Sequence, residues 1–272
     1  MIGLGCIDRR GTQMISNSCE ISPSAVIEPG VHIGDDCSIE AFSIIRSGVT
    51  IGSGVTIGSH CDIGIKTSLA SSQTLNLGSN SMIRSHSRFY LGSTCGENMV
   101  TGHGVTVREN SSIGTGVQIG TLSDIQGDCR IGDYSKLHSN VHVGKGSSIG
   151  KYVWLYPYVV LTNDPNPPSE ILLGVEISHF AVIATMSTVL PGVRVGFGSF
   201  LGAHSLLNRN LPDEQFAVGA PARTLKNVRD IKSFEGDVPH YPWAFHFNRG
   251  YPPNLGVIYN ELKADPTRVK CE

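Results

Sequence analysis

Aliphatic residues fall on a six-residue ruler along most of this chain. One frame steps through Ile15, Ile21, Ile27, Ile33, Ile39, Ile45, Ile51, Ile57 and Ile63 to Leu69 and Leu75. A second, entered by a two-residue slip at LNL, runs from Leu77 through Ile83, Phe89, Cys95, Thr101 and Val107 to Leu161. A third holds Ile177, Ile183, Val189, Val195, Leu201 and Leu207. A period of six is neither the 3.6 of a helix nor a sustained alternation, so it predicts a short strand, a turn, and repetition of both. Glycine often follows the frame residue, as at Gly34, Gly52, Gly58, Gly120 and Gly202, where a turn needs positive φ or close backbone approach. Two residues before the frame stands a second small apolar residue, such as Val31, Val55, Val117 or Val153. Cys19, Cys37, Cys61 and Cys129 share that place and read as core rather than as metal or redox groups.

Strands this short cannot bury a face alone and must stack on copies of themselves. Three six-residue sides close a triangular coil of eighteen residues, which predicts an all-β parallel β-helix. The ruler spans residues 15–226, after a lead-in of 1–14 and before an extension of 227–272. TNDPNPPSEILLGV, residues 162–175, interrupts it, and its prolines predict a projecting loop. The extension is richer in aromatics and charge, with short helices expected near 225–233 and 256–264. Its PWAFHFNRGYP stretch suits either stacking on a nucleobase and pairing with phosphate or capping the open end of the solenoid.

Composition narrows the function. Only 16% of the 272 residues are charged, and the net charge is −2 with no basic run, which argues against nucleic acid as a partner. MIGLGCIDRRGTQM carries no leader pattern and no eighteen apolar residues follow one another, so no membrane span and a cytoplasmic location are expected. Seven cysteines without CxxC spacing fit a reducing compartment.

Chemistry concentrates at VTGHGVTVREN, residues 100–110. His103 stands at a coil corner two residues past the inward Thr101, and the eighteen-residue period stacks it between Ser85 and Thr121. Both are small and polar, leaving room beside the imidazole. His32, His60, His179 and His204 read as solvated corner residues. GFGSFLG, residues 196–202, lacks a strand-loop-helix context and carries no dinucleotide signal.

The segment AVIATMSTVLPGVRVGFGSFLGAHSLLNRNLPDEQFAVGAPARTLK, residues 181–226, resembles the closing coils of the hexapeptide acyltransferases. Within that superfamily RSHSRFYLGSTCGENMVTGHGVTVREN and the coils after it resemble N-acyltransferases acting on nucleotide-linked amino sugars. The resemblance implies a left-handed β-helix, which periodicity cannot fix, and a homotrimer with active sites between subunits. It also implies acyl transfer from an acyl-CoA thioester to the amine of a dTDP- or UDP-linked amino sugar, for surface polysaccharide synthesis. His103 would be the general base, since a neutral imidazole accepts a proton near physiological pH. An oxyanion would meet the N–H of Gly102 or Gly104. Arg84, Ser85, Glu109, Asn163 and Asp164 would contact the substrate, with Glu109 orienting the base or holding the amine, and Arg108 would assist. For coenzyme A the third frame is the expected track, with Ala184, Thr185, Gly202 and Ala203 small enough for pantetheine and with Arg209, Arg223 and Lys226 facing its phosphates. The family's Pro-Arg pair after TND is replaced here by Pro167 and Pro168, which removes a phosphate contact from this loop. No metal is expected. Two alternatives stay open. One is an O-acetyltransferase of a small hydroxyl acceptor, although such relatives place their histidine where this chain has TNDP. The other is a zinc carbonic anhydrase of the same fold, suggested by His103, His138 and His142.

Overall fold

Each six-residue step contributes a strand of about two residues, and every third strand pairs in parallel with the one a coil below. The computed structural model describes residues 15–267 apart from 235 and 237, so the lead-in 1–14 lies outside the described residues. Three sheets result, of 12, 10 and 9 strands, parallel throughout except for the antiparallel last strand of the first. The first face runs from Glu20–Ile21 through Val100–Thr101 and Trp154–Leu155 to Phe200–Leu201. The second runs from Val26–Ile27 through Thr106–Val107 to Leu206–Leu207, and the third from His32–Ile33 to Arg194–Val195. Registers such as Gln118↔Lys136 and Ile119↔Leu137 confirm the eighteen-residue coil.

The frame residues line one continuous core, from Ile33 through Val107 and Leu161 to Leu207. The cysteines at 37, 61, 95 and 129 are buried and unpaired within it. Serine fills many of the remaining interior places, at less than 3% exposure, where hydropathy alone predicts an apolar side chain. Most of these hydroxyls are hydrogen-bonded between or within coils, Ser111 being the exception. The Ser135 Oγ donates to the Gly150 carbonyl at 2.7 Å and accepts from the Val153 amide at 3.1 Å, so it ties two coils together.

Apart from Gly64, whose φ is +94°, the glycines after the frame residues serve close approach rather than positive φ. A Cβ on Gly120 would lie 2.4 Å from the Ser139 nitrogen of the next coil. The left-handed corner positions come two residues later and are occupied mainly by side-chain-bearing residues, such as Asn98, Leu122 and Tyr158.

Leu69 departs from the ruler. It is 53% exposed, because residues 66–74 leave the coil and Leu75 returns opposite Val49, in the second apolar place rather than the frame. The apparent slip at LNL is therefore an excursion, held down where Ser71 donates to Asn110 Oδ1 at 2.8 Å and Asn110 donates to the Leu69 carbonyl at 3.0 Å.

The extension packs along the side of the prism rather than over its end. Trp243, Leu255, Tyr259 and Leu262 bury themselves against Tyr152, Phe180 and Phe197 of the solenoid. An α-helix forms at Leu255–Ala264, while the helix expected near 225–233 is only a 3₁₀ turn at Val228–Asp230. Trp243 is 6% exposed, so it packs the extension and is not a platform for a nucleobase.

His179, expected as a solvated corner, is instead wired into this contact. Its Nδ1 accepts from the Lys151 amide at 2.8 Å, which leaves the proton on Nε2 to donate to the Pro266 carbonyl at 3.1 Å. Burial draws its pKa down; the Lys151 charge adds to this, while the Pro266 carbonyl and Asp133 oppose it. The folded chain therefore favours the neutral ring, and its contribution is complete above the ordinary histidine value of ~6.5 and lost as pH falls below that. Protection factors of residues 255–267, which are exchange rates normalised to the intrinsic base-catalysed rate at each pH, are expected to fall between pH 7.5 and 5.5 in the native protein and to lose that dependence in a His179→Gln variant.

Candidate active site

The three corners of the coil form three edges along the prism. On the first edge, between the first and second faces, eighteen-residue stacking builds a column of Ser85, His103, Thr121, Ser139 and Pro157, continued past the projecting loop by Thr185 and Ala203. His103 is exposed there. Its Nδ1 stands 3.3 Å from Ser85 Oγ, and its amide donates to Thr121 Oγ1 at 3.3 Å. In the tautomer able to act as a base, Nδ1–H donates to Ser85 and the Nε2 lone pair faces solvent. Ser85 thereby orients the ring. Arg84 adjoins it, exposed at its side chain, while its amide donates to the buried Thr101 hydroxyl at 3.0 Å.

Neither Gly102 nor Gly104 can supply the oxyanion donor expected of them. Gly102 N–H is spent on the Ile119 carbonyl at 2.7 Å and Gly104 N–H on the Ser85 carbonyl at 2.9 Å, since both belong to the coil-to-coil ladder. The amides left over are those one residue into each turn. Among the described residues, the amides of Thr121, Ser139, Thr185 and Ala203 donate no hydrogen bond. Gly102 matters in another way, because a Cβ there would sit 2.3 Å from the Thr121 nitrogen. Its absence lets the Thr121 backbone close down onto Gly102.

Thr185 and Ala203 share the His103 column, four and five coils above it. At ~4.8 Å per coil, Thr185 lies about 19 Å along the edge. Ala184 and Gly202 stand beside them, and Gly202 is buried. Arg209, in contrast, is exposed on the second edge, and Arg223 and Lys226 belong to the terminal hairpin, where they bond the carbonyls of Ala222 and Asp230.

The second edge also holds Glu109, Asn163 and Asp164, so these residues do not meet His103 within one protomer. Glu109 is 1% exposed and ion-paired with Arg108 at 2.8 Å, which makes it a structural anchor rather than an orienter of the base. Asp164 accepts from the amides of Asn166 and Ser169 and from the Ser169 hydroxyl, folding the projecting loop on itself. Those bonds, the Ser169 hydroxyl foremost, hold its pKa below the usual carboxylate range. A groove of roughly 780 Å³ bounded by Glu28, Arg46, Lys66 and Gln73 also lies on the second edge and contains none of these side chains.

His138 and His142 do not join His103. His138 stacks on Tyr156 at 4.8 Å, and His142 on the second face faces Asp124 at 3.5 Å. Among the described residues no three His, Cys, Asp or Glu side chains cluster to hold a metal ion. Nor is any described helix long and apolar enough to cross a membrane.

Comparison with known proteins agrees with the repeat. Residues 14–47, 30–64 and 110–145 match the family described as bacterial transferase hexapeptide, six repeats. The chain is 37% identical over 51 residues to the bifunctional protein GlmU of Rubrobacter xylanophilus, covering 19% of this chain and 11% of that one. It is 30% identical over 90 residues to the galactoside O-acetyltransferase of Lactococcus lactis, covering 30% and 44%. The chain thus spans less than half the length of either relative. Among solved structures, the UDP-N-acetylglucosamine acyltransferase from Campylobacter jejuni aligns with a TM-score of 0.37 and 21% identity over 90% of each chain.

Proposed function

We propose that this hexapeptide-repeat chain is an acyl-CoA-dependent N-acyltransferase that acylates the amine of a nucleotide-linked amino sugar. The observation that carries the reading is the first edge itself. An exposed histidine, oriented by a serine, stands at the foot of a straight column of small residues with unpaired amides. Extended pantetheine is a chain of amides whose carbonyls can accept from the amides of Ser139, Thr185 and Ala203 while the thioester reaches His103. The Thr121 amide, one coil above the base, is the donor that meets the oxyanion.

In this mechanism the acceptor amine attacks the thioester carbonyl as Nε2 of His103 takes its proton. The tetrahedral intermediate places its negative oxygen on the Thr121 N–H. Collapse expels the coenzyme A thiolate, which recovers a proton from the imidazolium, and leaves the amide product. The second-edge residues Asn163, Asp164 and Arg209 complete the site when they come from an adjacent copy. That is the arrangement expected of a homotrimer, with substrate and coenzyme lying between subunits.

The test is to incubate the protein with a panel of acyl-CoAs and dTDP- or UDP-linked amino sugars and to follow thiol release. Acceptor-dependent release with amine acceptors is expected. Release that responds only to hydroxyl acceptors would instead establish the second reading, an O-acyltransferase, which the match to a galactoside O-acetyltransferase favours.

A further inference from the structure

The first edge carries a second column beside that of His103. Its left-handed corner position is filled, coil after coil, by Phe42, His60, His86, Gly104, Leu122, Asn140, Tyr158, Met186 and His204. The first three rings form a stack. Phe42 lies on His60 with centroids 5.0 Å apart, and His60 on His86 at 5.1 Å with 3° between planes. The stack stops at Gly104, whose φ is +65°. That conformation does not by itself demand glycine in this column, since Leu122 and Asn140 each hold φ 59 in the coils above. A Cβ built on Gly104 would meet only Leu122, with Cδ2 at 2.9 Å. The His86 ring therefore presents a bare face to a notch one coil deep, roofed by Leu122 and adjoining the Ser85 and His103 pair.

We infer that this notch seats the pyranose ring of the acceptor, with its apolar C–H face on His86 and its far side under Leu122. The inference rests on the reading of His103 as the base for an amino-sugar acceptor and specifies where that sugar lies. A pyranose is about as thick as the single stacking layer that is missing, and polarised C–H bonds pack favourably on the electron-rich face of a ring. Because residues 103 and 104 are adjacent, an amine on a ring in the notch reaches Nε2. A nucleobase there would hold the amine a ribose and a diphosphate away from the base, so the ring beside His103 is the sugar. Arg84, exposed on the same edge, is placed for the phosphates that follow.

The experiment uses UDP-glucosamine as probe in saturation-transfer NMR and titration, with the native protein and the His86→Ala, His86→Phe and Gly104→Asn variants. Asn suits Gly104 because Asn140 already holds that conformation. Pyranose C–H protons are expected to take up saturation in the native protein and in His86→Phe. His86→Ala and Gly104→Asn should bind the probe roughly fivefold more weakly, with coenzyme A affinity unchanged. Equal affinity in all four proteins, saturation confined to base and ribose protons, or conversion of His86→Ala to a different oligomer would overturn the notch. Pyranose binding that follows this pattern without any acyl transfer would sink the enzymatic reading and leave the notch standing. Acyl transfer insensitive to both substitutions would do the reverse.

Discussion

Replacing His103 with Ala is expected to lower acyl transfer to an amine by about 10²- to 10⁴-fold in kcat, with acceptor KM changed little. The geometry explains both halves of the expectation. The imidazole hydrogen-bonds the protein through Ser85, while the His103 amide keeps its bond to the Thr121 hydroxyl, so removal of the ring leaves the coil ladder intact. What disappears is the exposed basic atom beside the column of small residues. Ser85→Ala should cost less than removal of the ring, because it frees the imidazole's orientation without deleting the base. Steady-state kinetics at saturating acyl-CoA separate the cases. A His103→Ala protein with native kcat would show that the departing thiolate collects the amine's proton unaided and that the histidine only positions the acceptor.

Trp243→Ala is expected to destabilise attachment of the C-terminal extension by about 3–5 kcal/mol while leaving the solenoid folded. The indole is buried among Trp154, Phe180 and Tyr251, and its Nε1 donates to the Phe180 carbonyl at 3.1 Å. Truncation opens a cavity and orphans that carbonyl at once. The coils below depend on neighbours a coil away, not on the extension, so unfolding should divide into an early aromatic transition and a later loss of β-structure. Limited proteolysis near residues 231–240 should precede cleavage of the prism. A single transition at the native temperature would mean that the extension contributes nothing to its own docking. Trp243→Phe, which keeps most of the apolar area and loses the hydrogen bond, should fall between.

How far the fold could be read from the chain depends on what a six-residue period encodes. It encodes which side chains face inward, and so the core from Ile33 to Leu207 and the stacking of Ser85, His103 and Thr121 follow by arithmetic. It does not encode whether the chain stays on the coil. Leu69 keeps the aliphatic spacing by coincidence inside an excursion, and only its exposure betrays it. Nor does hydropathy reveal Ser43, Ser87 or Ser135 as interior residues, because their burial is offset by hydrogen bonds between coils that a scale of single residues cannot contain. The site divides in the same way. Glu109 is one six-residue side beyond His103, so its place on another edge was implicit in the spacing, whereas its ion pair with Arg108 was not. The oxyanion donor was misassigned because a glycine's small size says nothing about where its amide points. The inter-coil ladder claims the amides of Gly102 and Gly104 and leaves that of Thr121 free.

The last coil ends differently from all the others. Gln215–Gly219 pairs in parallel with Phe200–Leu201, but Ala222–Asn227 turns back antiparallel on it, with Arg223 and Lys226 exposed along its outer side. A same-direction strand from another molecule would find there a reversed, charged template instead of a matching one. At this end the molecule thus carries its own stop signal against fibre growth, and its length is set by the chain rather than by the supply of further subunits.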